Sequence, residues 1–241
     1  MNAAFWGELF GTATLILLGN GVVACVLLNK SYGHAAGWIA ITAGWAFAVM
    51  AGVFVAESIG SNAHLNPAVT VGIAIATGDW SRVGTYVLAQ FIGAMLGALL
   101  VWLHYLPHWA QTPDAAIKRA CFCTSPAVRH RLLNLTSEII GTFVLVFVAQ
   151  AIYSSRVAPS KLAPGLGPLL LGCLVWSIGL SLGGTTGYAI NPARDLGPRV
   201  MHAVLPIDGK GDSHWSYAAV PVVGPLIGAC LAGVVARMLS I

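Results

Sequence analysis

Two tripeptides, Asn66-Pro67-Ala68 and Asn191-Pro192-Ala193, carry the residues best placed to do chemistry in this chain. Asn is a favoured helix N-cap and Pro a favoured first helical residue, so each triplet marks the start of a helix. A carboxamide at such a start holds N–H donors beside the positive end of the helix, which suits a neutral solute bearing oxygen acceptors. Arg194 and Asp195 follow the second triplet directly. The apolar stretches contain no Ser/His pair and no metal-ligand set at usable spacing. The expected chemistry is therefore recognition without bond-making: no catalytic residue, no cofactor and no metal. Cys121-Phe122-Cys123 is too closely spaced for a zinc box, and Cys25, Cys173 and Cys230 lie in apolar stretches where they read as small hydrophobes.

The elements that must position these residues follow from composition. Hydrophobic residues make up 57% of the 241 and charged residues only 8%, against about 25% charged in a soluble domain. So little polar side chain cannot cover a water-facing surface, and the chain reads as an all-α integral membrane protein embedded in a lipid bilayer. The net charge of +4 is thinly spread, which excludes a nucleic-acid partner. Six stretches, 5–28, 37–56, 83–105, 133–153, 166–182 and 217–239, approach the length of a span. The apolar start lacks the basic flank of a signal peptide and reads as the first of them. Trp38, like Trp6 and Trp80, falls near a predicted interface, where an aromatic belt is the ordinary reading. Glu57 reads as a helix-end residue.

Two further apolar pieces, 66–76 and 191–203, are too short to span. As helices each would be roughly 15–20 Å long, about half of a hydrocarbon core of about 30 Å. Each follows an irregular stretch, 61–65 or 187–190. Irregular backbone at that depth needs protein or a water-filled cavity to satisfy it. The carbonyls of Asn62, Ala63, His64, Gly187, Tyr188 and Ala189 are expected to find those partners in a file of waters or solute hydroxyls.

The chain also repeats. Glu8, Gly11 and Thr12 recur 130 residues on as Glu138, Gly141 and Thr142; the triplets lie 125 apart; Gly93 and Gly97 recur 131 on as Gly224 and Gly228. The division expected is a first repeat at 1–106, a connecting loop at 107–132 and a second repeat at 133–241, together one channel domain. Each half holds three spans and a half-helix. Three is odd, so the second half enters the membrane inverted and the half-helices point their N-termini at each other. About half a positive charge at each end makes the centre repel cations and protons. The symmetric acids Glu8 and Glu138 are expected to brace the irregular loops, and Asp195 to hold its own loop.

These residues resemble the major intrinsic protein family, the aquaporins and glycerol facilitators. The resemblance rests on 63–70 and 187–195, the two segments around the triplets, and extends over nearly the whole chain. It implies six transmembrane helices with two re-entrant half-helices in an inverted repeat, assembled as a homotetramer in the plasma membrane with both termini cytoplasmic. Asp195 after Arg194 looks like the glycerol-conducting branch. The family's selectivity filter maps onto Trp45, Gly179, Tyr188 and Arg194, with Ala46 or Phe47 as alternatives to Trp45. Trp45 and Tyr188 would face the carbon side of a polyol, Arg194 its hydroxyls, and Gly179 leaves room that the His usual in water-selective members would fill.

Charge alone points the other way on orientation. Lys30, Lys118, Arg119, Arg129, Arg131 and Lys210 lie on the side opposite Arg82, Arg156, Lys161 and Arg237. The resemblance therefore assigns the cytoplasmic face to the less basic side, against the positive-inside rule. The function expected is passive passage of glycerol, small neutral polyols and water. A water-selective channel and an ion-coupled transporter are the alternatives.

Overall fold

A computed structural model describes residues 2–241. Among them are ten α-helices and no strand: α1 (Ala3–Leu27), α2 (Trp38–Ile59), α3 (Pro67–Thr77), α4 (Val83–His104), α5 (Leu106–Trp109), α6 (Ala115–Ala120), α7 (Arg131–Tyr153), α8 (Leu166–Leu182), α9 (Pro192–Val204) and α10 (Val220–Leu239). A short 3-10 turn, Trp215–Tyr217, leads into α10. α1, α2, α4, α7 and the segment ending in α10 are each long and apolar enough to cross a bilayer. α8 has 17 residues, about 25 Å, the short end of the spanning range. α3 and α9, with 11 and 13 residues, are half-helices.

The expected elements appear, α8 with its expected ends and the others with shifted ones. α2 runs to Ile59 and is closed by Gly60, whose φ of 102° is a left-handed cap. α5 straddles the start of the loop at 107–132 and α6 lies within it; helices of four and six residues carry no period readable in the sequence. Asp114 caps α6 by accepting from the Ala116 N–H at 2.7 Å.

Helix contacts run within and across the halves. α1 packs on α2 and α4, α7 packs on α8 and α10, and α2 packs on α8. The half-helices cross over: α3 lies against α10 and α9 against α4. The repeated glycines make the close approaches. A Cβ at Gly97 would stand 2.6 Å from the Ala13 carbonyl oxygen of α1, and one at Gly224 would stand 2.6 Å from Cβ of Glu138 in α7. Small residues are what let helices meet this closely in lipid, where no hydrophobic force drives them together. The crossings hold both half-helices at the middle of the bundle.

Candidate functional site

The half-helices begin as their sequences dictate. Asn66 Oδ1 accepts from the Ala68 N–H at 2.8 Å, and Asn191 Oδ1 accepts from the Ala193 and Arg194 N–H groups at 3.0 and 3.1 Å. Pro67 and Pro192 occupy the first turns. The amide nitrogens then reach across the centre. Asn66 Nδ2 donates to the Ile190 carbonyl and Asn191 Nδ2 to the Leu65 carbonyl, both at 2.8 Å. Each amide NH₂ has two donors. One is spent on the opposite loop, and the other remains available where both Asn side chains line a cavity.

The loops ahead of the half-helices follow one path. Ala63 and Leu65 have φ of 56° and 52°, and Tyr188 and Ile190 have φ of 37° and 43°. Left-handed geometry at four side-chain-bearing residues is unfavourable and needs external bracing. Glu8 and Glu138 supply it. Glu8 accepts from the His64 N–H at 2.8 Å, the Leu65 N–H at 2.7 Å, Ser61 Oγ at 2.5 Å and Gln90 Nε2 at 2.7 Å. Glu138 accepts from the Ala189 and Ile190 N–H groups at 3.0 and 2.8 Å. Both acids are fully buried, so these bonds replace hydration. Replacing Glu8 by Gln puts a donor where Glu8 now accepts twice. It is expected to lower stability by about 1–3 kcal/mol, read as a lower unfolding temperature in detergent; an unchanged temperature would contradict the bracing role.

The cavity has a volume of about 590 Å³. It runs from Trp45, Tyr188 and Arg194 past Asn66 and Asn191 to Glu57, Tyr153 and Ser154, and its wall includes Asn62, Ala63, His64 and Ala189. The Arg194 guanidinium carbon lies over the Trp45 ring, 4.1 Å from its centroid. Trp45 is 4% exposed, whereas Phe47 is 56% exposed and turned outward. Ala46 packs its backbone against Gly172 of α8. Of the three candidate positions in α2, Trp45 is the one beside Arg194.

Gly179 meets the cavity through its neighbour. A Cβ there would stand 2.9 Å from Cζ of Tyr188 and 3.0 Å from Cγ2 of Thr42, and a Cβ at Gly183, one turn on, 2.5 Å from Cδ1 of Tyr188. The room left on α8 is filled by the Tyr188 ring. Trp38 completes this corner: its Nε1 donates to the Gly179 carbonyl at 3.1 Å and its ring meets Tyr188 edge-on at 5.9 Å. Trp38, expected from the sequence near an interface, opens α2 and also backs Tyr188.

Asp195 faces away from the cavity, into a buried cluster. It accepts from the Thr124 N–H at 2.7 Å and Thr124 Oγ1 at 2.6 Å, and pairs with Arg199 at 2.7 Å. Arg199 also donates to the carbonyls of Ser213, His214 and Thr124 at 2.7, 3.0 and 3.0 Å. Sequence reading missed Arg199 and Thr124. The four-residue spacing of Asp195 and Arg199 on one face of α9 was the available signal. Lys210 closes the other end of α9, donating to the Ala203 and Leu205 carbonyls at 2.6 Å each. In the connecting loop, burial pushes the Cys123 thiol up to about 12. Cys121 is raised by burial as well, so both thiols stay protonated.

This geometry presents a few fixed donors along a largely apolar wall between the spanning helices. Comparison of sequences decides which proteins share it. The family described as major intrinsic protein matches residues 1–236. The chain belongs to the major intrinsic protein family. Within that family it is 56% identical to the probable glycerol uptake facilitator protein of Thermotoga maritima over 230 residues, covering 95% of this chain and 96% of that one. It is 54% identical to the glycerol uptake facilitator protein of Streptococcus pneumoniae, over 96% of this chain and 97% of that one. Among solved structures, the aquaglyceroporin from Plasmodium falciparum superposes with a TM-score of 0.87 at 27% identity, covering 99% of this chain and 96% of that one. The six spans, two half-helices and crossed packing are those of the major intrinsic protein fold.

Proposed function

We propose that this chain is a passive membrane channel for glycerol and other small neutral polyols, with water passing by the same path. The observation that carries this reading is the corner formed by Trp45, Tyr188 and Arg194 on one cavity wall. Two aromatic faces take the carbon backbone of a polyol, and a guanidinium donates to its hydroxyls. The names of the facilitators most similar to it support the same solute class. Arg194, Trp45 and Tyr188 act as the selectivity filter, with Gly179 holding Tyr188 in place. Asn66, Pro67, Ala68, Asn191, Pro192 and Ala193 form the centre. The carbonyls of Asn62, Ala63, His64, Gly187, Tyr188 and Ala189 receive the solute hydroxyls along the path. Glu8, Glu138 and Asp195 are scaffold.

The symmetric hydrogen bonds of Glu8 and Glu138 support residues 1–106 and 133–241 as inverted repeats joined by 107–132. Family membership supports a homotetramer with one pore per subunit, placed in the plasma membrane with both termini cytoplasmic. It equally supports a facilitator with no enzymatic step.

Ion coupling normally uses intramembrane acids near the solute. Here Glu8 and Glu138 are spent on loop N–H groups and Asp195 on Arg199, and Glu57, the remaining acid on the cavity wall, stands at its mouth in the last turn of α2 and not beside Asn66 and Asn191. A glycerol gradient across proteoliposomes is therefore expected to dissipate at the same rate with and without a sodium or proton gradient. Uphill accumulation driven by either gradient would overturn the passive reading.

A further inference from the structure

Of the Asp, Glu, Lys and Arg side chains among the described residues, two line the cavity, at its opposite ends: Arg194 and Glu57. Cations meet opposition along the path. Arg194 stands at one end, and the N-termini of α3 and α9 face each other at the centre, each worth about half a positive charge. The same field attracts anions. Glu57 is the one Asp or Glu side chain on the cavity wall, in the last turn of α2, near Ile241 on the same wall, and its carboxylate takes part in no hydrogen bond or ion pair among the described residues. Tyr153 and Thr77, which share that mouth, are the final residues of α7 and α3. Three helices thus end there, each adding about half a negative charge. The mouth is negative where the centre is positive.

We infer that Glu57 is a specificity-determining residue: its carboxylate keeps small anions out of a conduit whose centre would otherwise attract them. The inference rests on reading the cavity as the solute path. A unit charge about 6 Å from a monovalent ion in water changes its local concentration about threefold, and salt screens the effect within about 8 Å at physiological ionic strength. Uncharged glycerol feels little of it.

Nitrate is a suitable probe, being small, planar and unprotonated at neutral pH. In proteoliposomes at low ionic strength, with potassium and valinomycin compensating charge, nitrate permeability is expected to rise about threefold in Glu57→Gln and about tenfold in Glu57→Lys. The gain should shrink toward the original protein in 1 M salt, where the screening length falls to about 3 Å. Glycerol flux in the same vesicles should change less than nitrate flux. Glycerol flux in all three proteins with equal nitrate permeabilities would overturn this inference alone. No glycerol flux through the unsubstituted protein would overturn the conduit reading and this inference with it.

Discussion

Gly179→His is expected to lower glycerol flux at least about tenfold, the equivalent of about 1.4 kcal/mol, toward the low end of the usual 1–3 kcal/mol overpacking cost. The reason is the Tyr188 ring. A Cβ at position 179 already stands 2.9 Å from the ring carbon Cζ and 3.0 Å from Oη, before any imidazole is added. Trp38 backs the same ring, and its Nε1 is bonded to the Gly179 carbonyl. The ring therefore has one way to yield, toward the cavity that it lines. That narrows the path for a polyol more than for water. The double variant Gly179→His with Tyr188→Ala removes the conflict and also one aromatic face. It should regain water flux while glycerol flux stays low. Stopped-flow light scattering on proteoliposomes reads both solutes. Undiminished glycerol flux in the single variant would show that position 179 does not control the slot.

Arg199→Leu should have the larger effect on stability. Arg199 and Asp195 are both fully buried, and Arg199 also satisfies the carbonyls of Thr124, Ser213 and His214. Removing one member of a buried pair leaves the other charged and unpaired, at a cost of about 3–5 kcal/mol. Loss of monodisperse protein in detergent, or a much lower unfolding temperature, is the expected outcome. Arg199→Lys keeps the charge but not the planar fork, so it should fall between the two. Because this cluster ties 124, 195 and 213–214 together one residue from Arg194, partial unfolding should appear first as loss of discrimination between solutes. An unchanged transition in Arg199→Leu would contradict the account of the cluster.

What the sequence made legible follows from which interactions are local. The Asn-Pro starts of α3 and α9 are short-range signals, and both helices begin at the proline after each Asn. The even apolar run of α8 gave its ends directly, at Leu166 and Leu182. Glu8 and Glu138 were readable because symmetry placed them, although their partners lie more than fifty residues away. The contact of Trp38 with Gly179 had no local signal, because the two lie 141 residues apart. Thr124 had no signal at all, being a loop residue that meets Asp195 only in the folded bundle. Gly179 shows the middle case. A missing side chain was visible in the sequence, but the Tyr188 ring that fills the gap was not.

The most direct test of the central claim is the rate at which proteoliposomes reswell after a sudden inward glycerol gradient. Water leaves first and the vesicles shrink; glycerol then enters and they swell again. A polyol-conducting file lined by Trp45, Tyr188 and Arg194 predicts reswelling well above that of empty liposomes, with water efflux accelerated in the same vesicles. Accelerated shrinking followed by reswelling no faster than in empty liposomes would show a channel for water that rejects glycerol, and would contradict the account.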